Sequence, residues 1–552
     1  MTEAGQNSNK ATPTAPHDAK NETPAPEPEY LRGTKLWLTA ISLALCIFFA
    51  ALDGTIVSTA IPQITSDFDS LADVGWYGSS FYLTTAAFQT VWGRLYKFFW
   101  LKSMFLLAIV IFELGSLICA VAPNSAAFIV GRAIAGVGAS GLQSGVYTIP
   151  AFSVSAQWRP VFLAGMGVFY AVAACVGPLV GGAFTTGVTW RWCFWINLPL
   201  GAVTGGIILL LYKTPEQAAP PKMPVTQKLR QLNPLGVVLI IGAVTCYLLA
   251  VQYGGQSRPW GSSVVIGLLV GFVLVAALFV AEELWMSERA LFQPRLFKFR
   301  AVTIGCPFLF FSSGVYSILL YYIPIYFQAV RGVSAASSGV RLLPFVLAMS
   351  ISLIISGGIL RKFGYYKPNL ILGPLLASIG TGLIYTWSPD TSAGKWIGYQ
   401  ILVAIGMGIT LQAPLLATQA SVDKADTAPA TSMVVFFQGL GGAIWVSAAN
   451  CIFANELTKY LRRMAPSINT AQILSLDGAS SLADSYTGSE LQVVQDAYMH
   501  GLRCAYAIAI GCAGICCVLG CMAEWKKINV DAKLKAVASE DEVAQVTDEN
   551  KA

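Results

Sequence analysis

The side chains of this sequence best placed to do chemistry are charged groups stranded in apolar runs. The stretch from Leu36 to Ile61 is otherwise apolar enough to cross a bilayer, and Asp53 stands within it. At about 1.5 Å per helical residue, Asp53 lies roughly 24 Å beyond Trp37. That is inside a hydrocarbon core of about 30 Å. Arg132, in FIVGRAIAGVGASGLQSG, stands at comparable depth, roughly 12 Å into its own apolar run. Ionisable groups at such depth are costly, and they mark proton or substrate paths unless they only brace the helices. Two readings of the pair stay open: a static Asp53–Arg132 bridge, or a proton-responsive pair whose attraction changes when Asp53 is protonated. Glu113, near the middle of a third run, is read first as a packing or hydrogen-bonding group and second as another proton site.

The elements that must position these groups are helices crossing a membrane. Of 552 residues, 55% are hydrophobic and 12% charged, with a mean hydropathy of +0.61. A soluble protein carries about twice that charged fraction. Long uncharged runs recur along nearly the whole chain, giving an all-α, polytopic membrane protein. Candidate spans are 36–61, 75–93, 103–122, 126–148, 162–185, 192–212, 234–253, 262–282, 301–329, 339–359, 368–387, 395–419, 430–453 and 502–523. With the leading tail inside, the inward loops collect most of the Lys and Arg, among them Arg94, Lys97, Arg159, Arg295, Arg361 and Lys424. Both termini are then cytoplasmic.

The expected organisation is a disordered cytoplasmic tail at 1–35, a six-helix bundle at 36–212, a Pro-rich cytoplasmic linker at 213–233 and two inserted helices at 234–283. An amphipathic cytoplasmic segment at 284–300 follows, carrying Trp285, Leu291, Leu296 and Phe297 and predicted as a surface helix. A second six-helix bundle at 301–524 holds an extracellular loop at 455–500, and a cytoplasmic tail closes the chain at 525–552. A faint repeat joins GRLYKFFWLK (93–102) to GGILRKFGYYK (357–367), each with an aliphatic residue two after glycine and a base four after it. Internal repeats of this kind build many secondary transporters.

Several functions are excluded by composition. The net charge of +6 is the positive-inside excess and requires no nucleic acid. His17 and His500 are the only histidines, so no histidine metal site or histidine acid–base pair is expected. No GxxxxGK[ST] phosphate loop is present, which argues against direct drive by ATP. The twelve cysteines fall almost entirely in apolar spans and read as small hydrophobes. In span 5, VGPLVGGAF places Gly177, Pro178, Gly181 and Gly182 together. Proline removes a backbone donor and the glycines permit close contact, so this helix suits bending between two moving bundles, or is simply kinked.

Taken together, these strings resemble the major facilitator superfamily over about residues 36–524. LDGTIVSTAIPQI looks like the first-span signature of its fourteen-span drug:proton antiporters, and GRAIAGVGASG like the fourth-span motif that carries a proton-coupling arginine, here Arg132. GPLVGG resembles the fifth-span antiporter motif, and WRWCFWINLPLG (190–201) a string typical of this branch. With YYIPIYFQAV (321–330), the pattern looks most like fungal exporters of toxins and other secondary metabolites. The resemblance implies the major facilitator fold, two six-helix bundles plus two inserted helices. It also implies a cytoplasmic gate at Gly93, Arg94 and Lys97, although Lys97 stands where the family usually has an acid and Trp100 where it has glycine.

By the same resemblance, spans 1, 2, 4, 5, 9, 10, 12 and 13 line a central cavity, with Gln89, Gln143, Tyr147, Tyr322, Gln412, Phe437 and Gln438 as substrate contacts. Amides and aromatics with few charges suit bulky, weakly polar ligands. The expected function is proton-coupled export of hydrophobic small molecules by a monomeric, multi-pass protein of the plasma membrane or a vacuolar or vesicle membrane, using no cofactor. Export of a metal chelate or amino-acid derivative, and a transporter-like sensor that moves nothing, are the alternatives.

Overall fold

The computed structural model describes residues 33–68, 74–155, 157–215, 218–229, 231–254, 258–466, 486 and 488–527. Nearly all of the two expected tails and most of 467–487 therefore lie outside the described residues. Thirteen helices among the described residues are long and apolar enough to cross a membrane. A further 25-residue helix, Val74–Phe98, is less apolar because Gly78, Ser79, Ser80, Thr84, Thr85, Gln89 and Thr90 interrupt it. Neighbouring helices enclose it, so its side chains need not suit lipid.

In chain order the first six long helices are α1 (Gly33–Phe68), α2 (Val74–Phe98), α3 (Leu101–Val121), α4 (Ser125–Ser153), α5 (Arg159–Gly187) and α6 (Asn197–Leu211). A pair follows, α7 (Pro234–Tyr253) and α8 (Ser263–Met286). The last six are α9 (Arg300–Ile325, running on as a π-turn to Val330), α10 (Ala335–Phe363), α11 (Lys367–Tyr385), α12 (Ala393–Thr410, continued after a break by Ala413–Ser421), α13 (Thr427–Met464) and α14 (Gly488–Met522). Local signals set several starts. Asn124 accepts a hydrogen bond from the Ala127 N–H at 2.9 Å to cap α4, and Ser262 and Ser334 cap α8 and α10 in the same way. Asn233, in the left-handed region at φ 47°, caps α7 ahead of Pro234.

Contacts repeat between the two sets of six. Within the first, α1 packs on α5 and α6, α2 on α4, and α3 on α4 and α6. Within the second, α9 packs on α13 and α14, α10 on α12, and α11 on α12 and α14. The sets meet through α2 against α13 and α5 against α10. The α7–α8 pair leans on α2 and α13 through α7, while α8 leaves Val270, Val273, Leu274 and Leu278 exposed, as hydrocarbon solvent allows.

Two expectations need correction. Residues 284–300 do not form an amphipathic surface helix. They make two 3₁₀ turns, Ser287–Arg289 and Pro294–Lys298, with Leu291 and Leu296 buried. The Glu283 carboxylate accepts from the Leu291 and Phe292 N–H groups at 2.9 and 2.5 Å, folding the chain back, and Pro294 cannot continue a helix. The loop expected at 455–500, partly helical at 489–500, starts later than expected: α13 continues to Met464, while α14 begins at Gly488 and takes in 489–500.

Candidate functional site

Asp53 and Arg132 meet inside the first six helices. Arg132 Nη1 donates to Asp53 Oδ2 at 2.5 Å, and both side chains are fully buried. Arg132 Nε also donates to the Tyr77 carbonyl at 3.1 Å, and Nη2 to the Asp53 carbonyl at 3.4 Å. The guanidinium lies 4.4 Å from the centre of the Phe81 ring, a favourable place for a cation. The second carboxylate oxygen of Asp53 accepts from Asn197 Nδ2 at 3.1 Å, and the same nitrogen reaches Ser116 Oγ at 3.1 Å. Four helices, α1, α3, α4 and α6, thus converge on one carboxylate.

The backbone brings them this close because α4 is smooth. A Cβ on Gly136 would strike Thr84 and the Phe81 carbonyl, and one on Gly138 would strike the backbone of Phe112. Thr84 Oγ1 and Trp92 Nε1 donate to the α4 carbonyls of Ala133 and Val137, each at 2.8 Å, locking α2 to α4. Glu113 is close enough to Asp53 to interact electrostatically. Its two carboxyl oxygens are buried with no hydrogen-bond partner among the described residues, so the hydrogen-bonding reading is corrected. It packs against Gly201, where no side chain would fit.

The basic loops gather at one end, which is shut. Lys97 Nζ on α2 and Arg295 Nη2 both donate to Asp426 Oδ1, at 2.7 and 2.6 Å, and Asp426 immediately precedes α13. The acid that Lys97 pairs with therefore comes from the opposite set of helices. Gly93 lies so close to Ser432 and the Ala428 carbonyl that a Cβ has no room. Arg94 is buried and donates to the carbonyls of Gln231, at 2.7 Å, and Ala290, tying α2 to both ends of the α7–α8 insertion. Further in, Gln89 Nε2 donates to Ser144 Oγ at 2.8 Å, Ser432 Oγ to the same atom at 3.2 Å, and Gln419 Nε2 to the Tyr147 carbonyl at 3.1 Å. The Arg361 guanidinium sits 3.5 Å from the centre of the Trp158 ring.

The span-5 motif divides in two. Gly177 and Gly181 face α1, where Thr55, Ile56 and Thr59 leave no space for a Cβ, whereas Gly182 faces open space and Pro178 is half-buried. The expected substrate contacts scatter. Gln89, Tyr147 and Gln412 lie buried near the shut end, and Gln143 and Gln438 are half-buried. Phe437 packs on Phe292 with ring centres 5.5 Å apart. Tyr322 is fully buried among Phe453 and Tyr506, and its neighbour Tyr321 is the exposed ring. Sequence reasoning missed Asn197 and Asp426. Asn197 stands within the quoted 190–201 string, but nothing in that string singles it out.

Comparison with known proteins places this geometry. A model of the Major Facilitator Superfamily matches residues 43–446. The chain belongs to that superfamily. It is 42% identical over 516 residues to the "MFS-type transporter GME11371" of Pestalotiopsis microspora, covering 93% of this chain and 94% of that one. It is 44% identical over 509 residues to the "Probable efflux pump gsfJ" of Penicillium aethiopicum, covering 92% and 91%. Among solved structures, the human organic anion transporter MFSD10 (TETRAN) superposes with a TM-score of 0.52 at 13% identity, covering 87% of this chain and 100% of that one. The proton:xylose symporter XylE, bound to 6-bromo-6-deoxy-D-glucose, gives 0.54 at 13% identity, covering 88% and 95%. These superpositions speak to the fold alone. The chain is a multi-pass membrane transporter with the all-α superfamily fold, and its relatives are fungal transporters and efflux pumps.

Proposed function

We propose that this transporter exports hydrophobic small molecules in exchange for protons, with its basic end and both termini in the cytoplasm. The observation that carries this reading is the Arg132–Asp53–Asn197 cluster, sealed from solvent within the helices while the basic end is shut. Protonation of Asp53 removes the charge that holds Arg132. The guanidinium then keeps the Tyr77 and Asp53 carbonyls and the Phe81 and Phe194 rings, and the grip of α4 on α1 loosens. A proton that enters from the outer side and leaves when the basic end opens moves inward as cargo moves outward. Glu113 is the second carboxyl available to that path.

The bilayer is the solvent, protons and a weakly polar cargo are the ligands, and a monomer in the plasma membrane suffices; no cofactor, metal or nucleic acid enters the cycle. Export fits the printed names of the relatives. The test is uptake of a lipophilic fluorescent substrate into inside-out vesicles carrying an imposed acid interior. Uptake that collapses with a protonophore supports antiport. Binding without gradient-driven uptake or counterflow contradicts it and favours a sensor.

A further inference from the structure

On α2, every side chain whose exposure is described is buried or half-buried except that of Tyr82, which is 45% exposed. The helix is lined by α4, α7 and α13 and touches α1, so this opening is a local gap and not a lipid-facing side. The position of the gap follows from the shut end. Gly93 touches Ser432 there, and eleven residues back along α2, roughly 16 Å at 1.5 Å per residue, stands Tyr82. At the matching height on α13, Gly439 is exposed and Gly442–Ala448 are half-buried. At that height both helices carry residues that their neighbours leave part-uncovered.

Tyr82 also touches the charge cluster by two routes. Its hydroxyl donates to the Gly54 carbonyl at 2.8 Å, the residue after Asp53. Its ring meets Phe81 edge-on, with centres 5.5 Å apart, and Phe81 is the ring beneath the Arg132 guanidinium. We infer that Tyr82 is the residue through which cargo reaches the Asp53–Arg132 pair, and that the cargo it reads is a planar aromatic molecule bearing hydroxyl groups. The inference rests on the antiport reading above. The exposed ring face offers stacking to a flat ring system. The phenolic oxygen, already donating to Gly54, keeps lone pairs that accept from a cargo hydroxyl. Cargo that draws this oxygen away loosens its bond to Gly54, and the turn of α1 that carries Asp53 is freed to respond. Tyr82 acts through Gly54 and Phe81, and is therefore a positioning residue for the proton step.

The experiment uses the full chain in lipid vesicles with an entrapped pH dye, and a hydroxyanthraquinone as probe. Tyr82→Phe keeps the ring and removes the hydroxyl. It should bind the probe nearly as well as the unaltered chain, while probe-driven proton movement falls roughly fivefold, the worth of one hydrogen bond. Tyr82→Ala should lose roughly tenfold in probe affinity, the worth of one ring contact. Unchanged proton movement in Tyr82→Phe, in vesicles where the unaltered chain responds to the probe, overturns the role of Tyr82 and leaves antiport standing. No probe-driven proton movement in the unaltered chain, in vesicles that still take up the lipophilic fluorescent substrate under a proton gradient, overturns the aromatic cargo and leaves antiport standing, whereas loss of both counts against antiport itself. Unchanged probe affinity in Tyr82→Ala overturns the aromatic cargo.

Discussion

At the scale of single residues, the site is a buried ion pair whose two side chains also bond the Tyr77 and Asp53 carbonyls and Asn197. Such a pair adds little stability over an apolar substitute, but removing one partner costs about 3–5 kcal/mol, because the other charge is left buried. Arg132→Ala should therefore lower both protein yield and transport. Arg132→Lys, which keeps a point charge without the fork that reaches the Tyr77 carbonyl, should retain a measurable part of both. Asn197→Ala should shift the pH dependence of transport while yield holds, since it removes one hydrogen bond from Asp53 and no charge. Transport against pH on the three variants checks this, and a wild-type profile for Asn197→Ala would contradict it. Asp53 and Arg132 were legible in the sequence because a charge in an apolar run is conspicuous. Asn197 was not, because an uncharged amide near a span end is common and its bond to Asp53 joins residues 144 apart in the chain.

At the scale of elements, glycines decide which helices slide. A Cβ added at Gly181 would strike the Ile56 carbonyl and Thr59, whereas one added at Gly182 would meet nothing within 4 Å. Gly181→Leu should overpack α1 against α5, at a cost of about 1–3 kcal/mol, and depress export per copy of surface protein. Gly182→Leu should export nearly as before. Equal loss in both would mean that the motif acts through its backbone and not through this contact. The Lys97–Asp426 pair gives a second test. Lys97→Asp alone places two carboxylates together and should weaken closure of the basic end, while Lys97→Asp with Asp426→Lys should recover transport, read as initial rates in the same vesicles. Failure of the double variant to exceed the single one would contradict a gate held by that charge pair. The 93–102 string singled out Gly93 and Lys97, but their partners were not legible, because Ser432 and Asp426 come from the other six helices. The 284–300 segment misled for a related reason. Its alternating apolar and basic residues match a surface helix, but its path follows the Glu283 carboxylate.

At the scale of the whole molecule, the all-α class and most of the spans follow from hydropathy, because a bilayer demands long apolar helices whatever else the protein does, while the two sets of six and the inserted pair were legible through the faint repeat and the family resemblance. What hydropathy cannot convey is which end is shut. That depends on Gly93 meeting Ser432 and on Tyr147, Ser144 and Lys97 finding partners far along the chain. The charge bias predicts that an epitope inserted near Ser480, outside the described residues, is reached by antibody on intact cells, and that a reporter after Ala552 is not. Labelling at the opposite faces would reverse the direction of transport argued here. The central claim is that Asp53 carries the exchanged proton. Asp53→Asn preserves shape and most hydrogen bonds while fixing the group neutral, so it isolates the charge. In inside-out vesicles with an imposed proton gradient, the variant should lose gradient-driven uptake of a lipophilic fluorescent substrate and keep passive exchange of it. A gradient response equal to that of the unaltered chain would remove Asp53 from the mechanism and contradict the account.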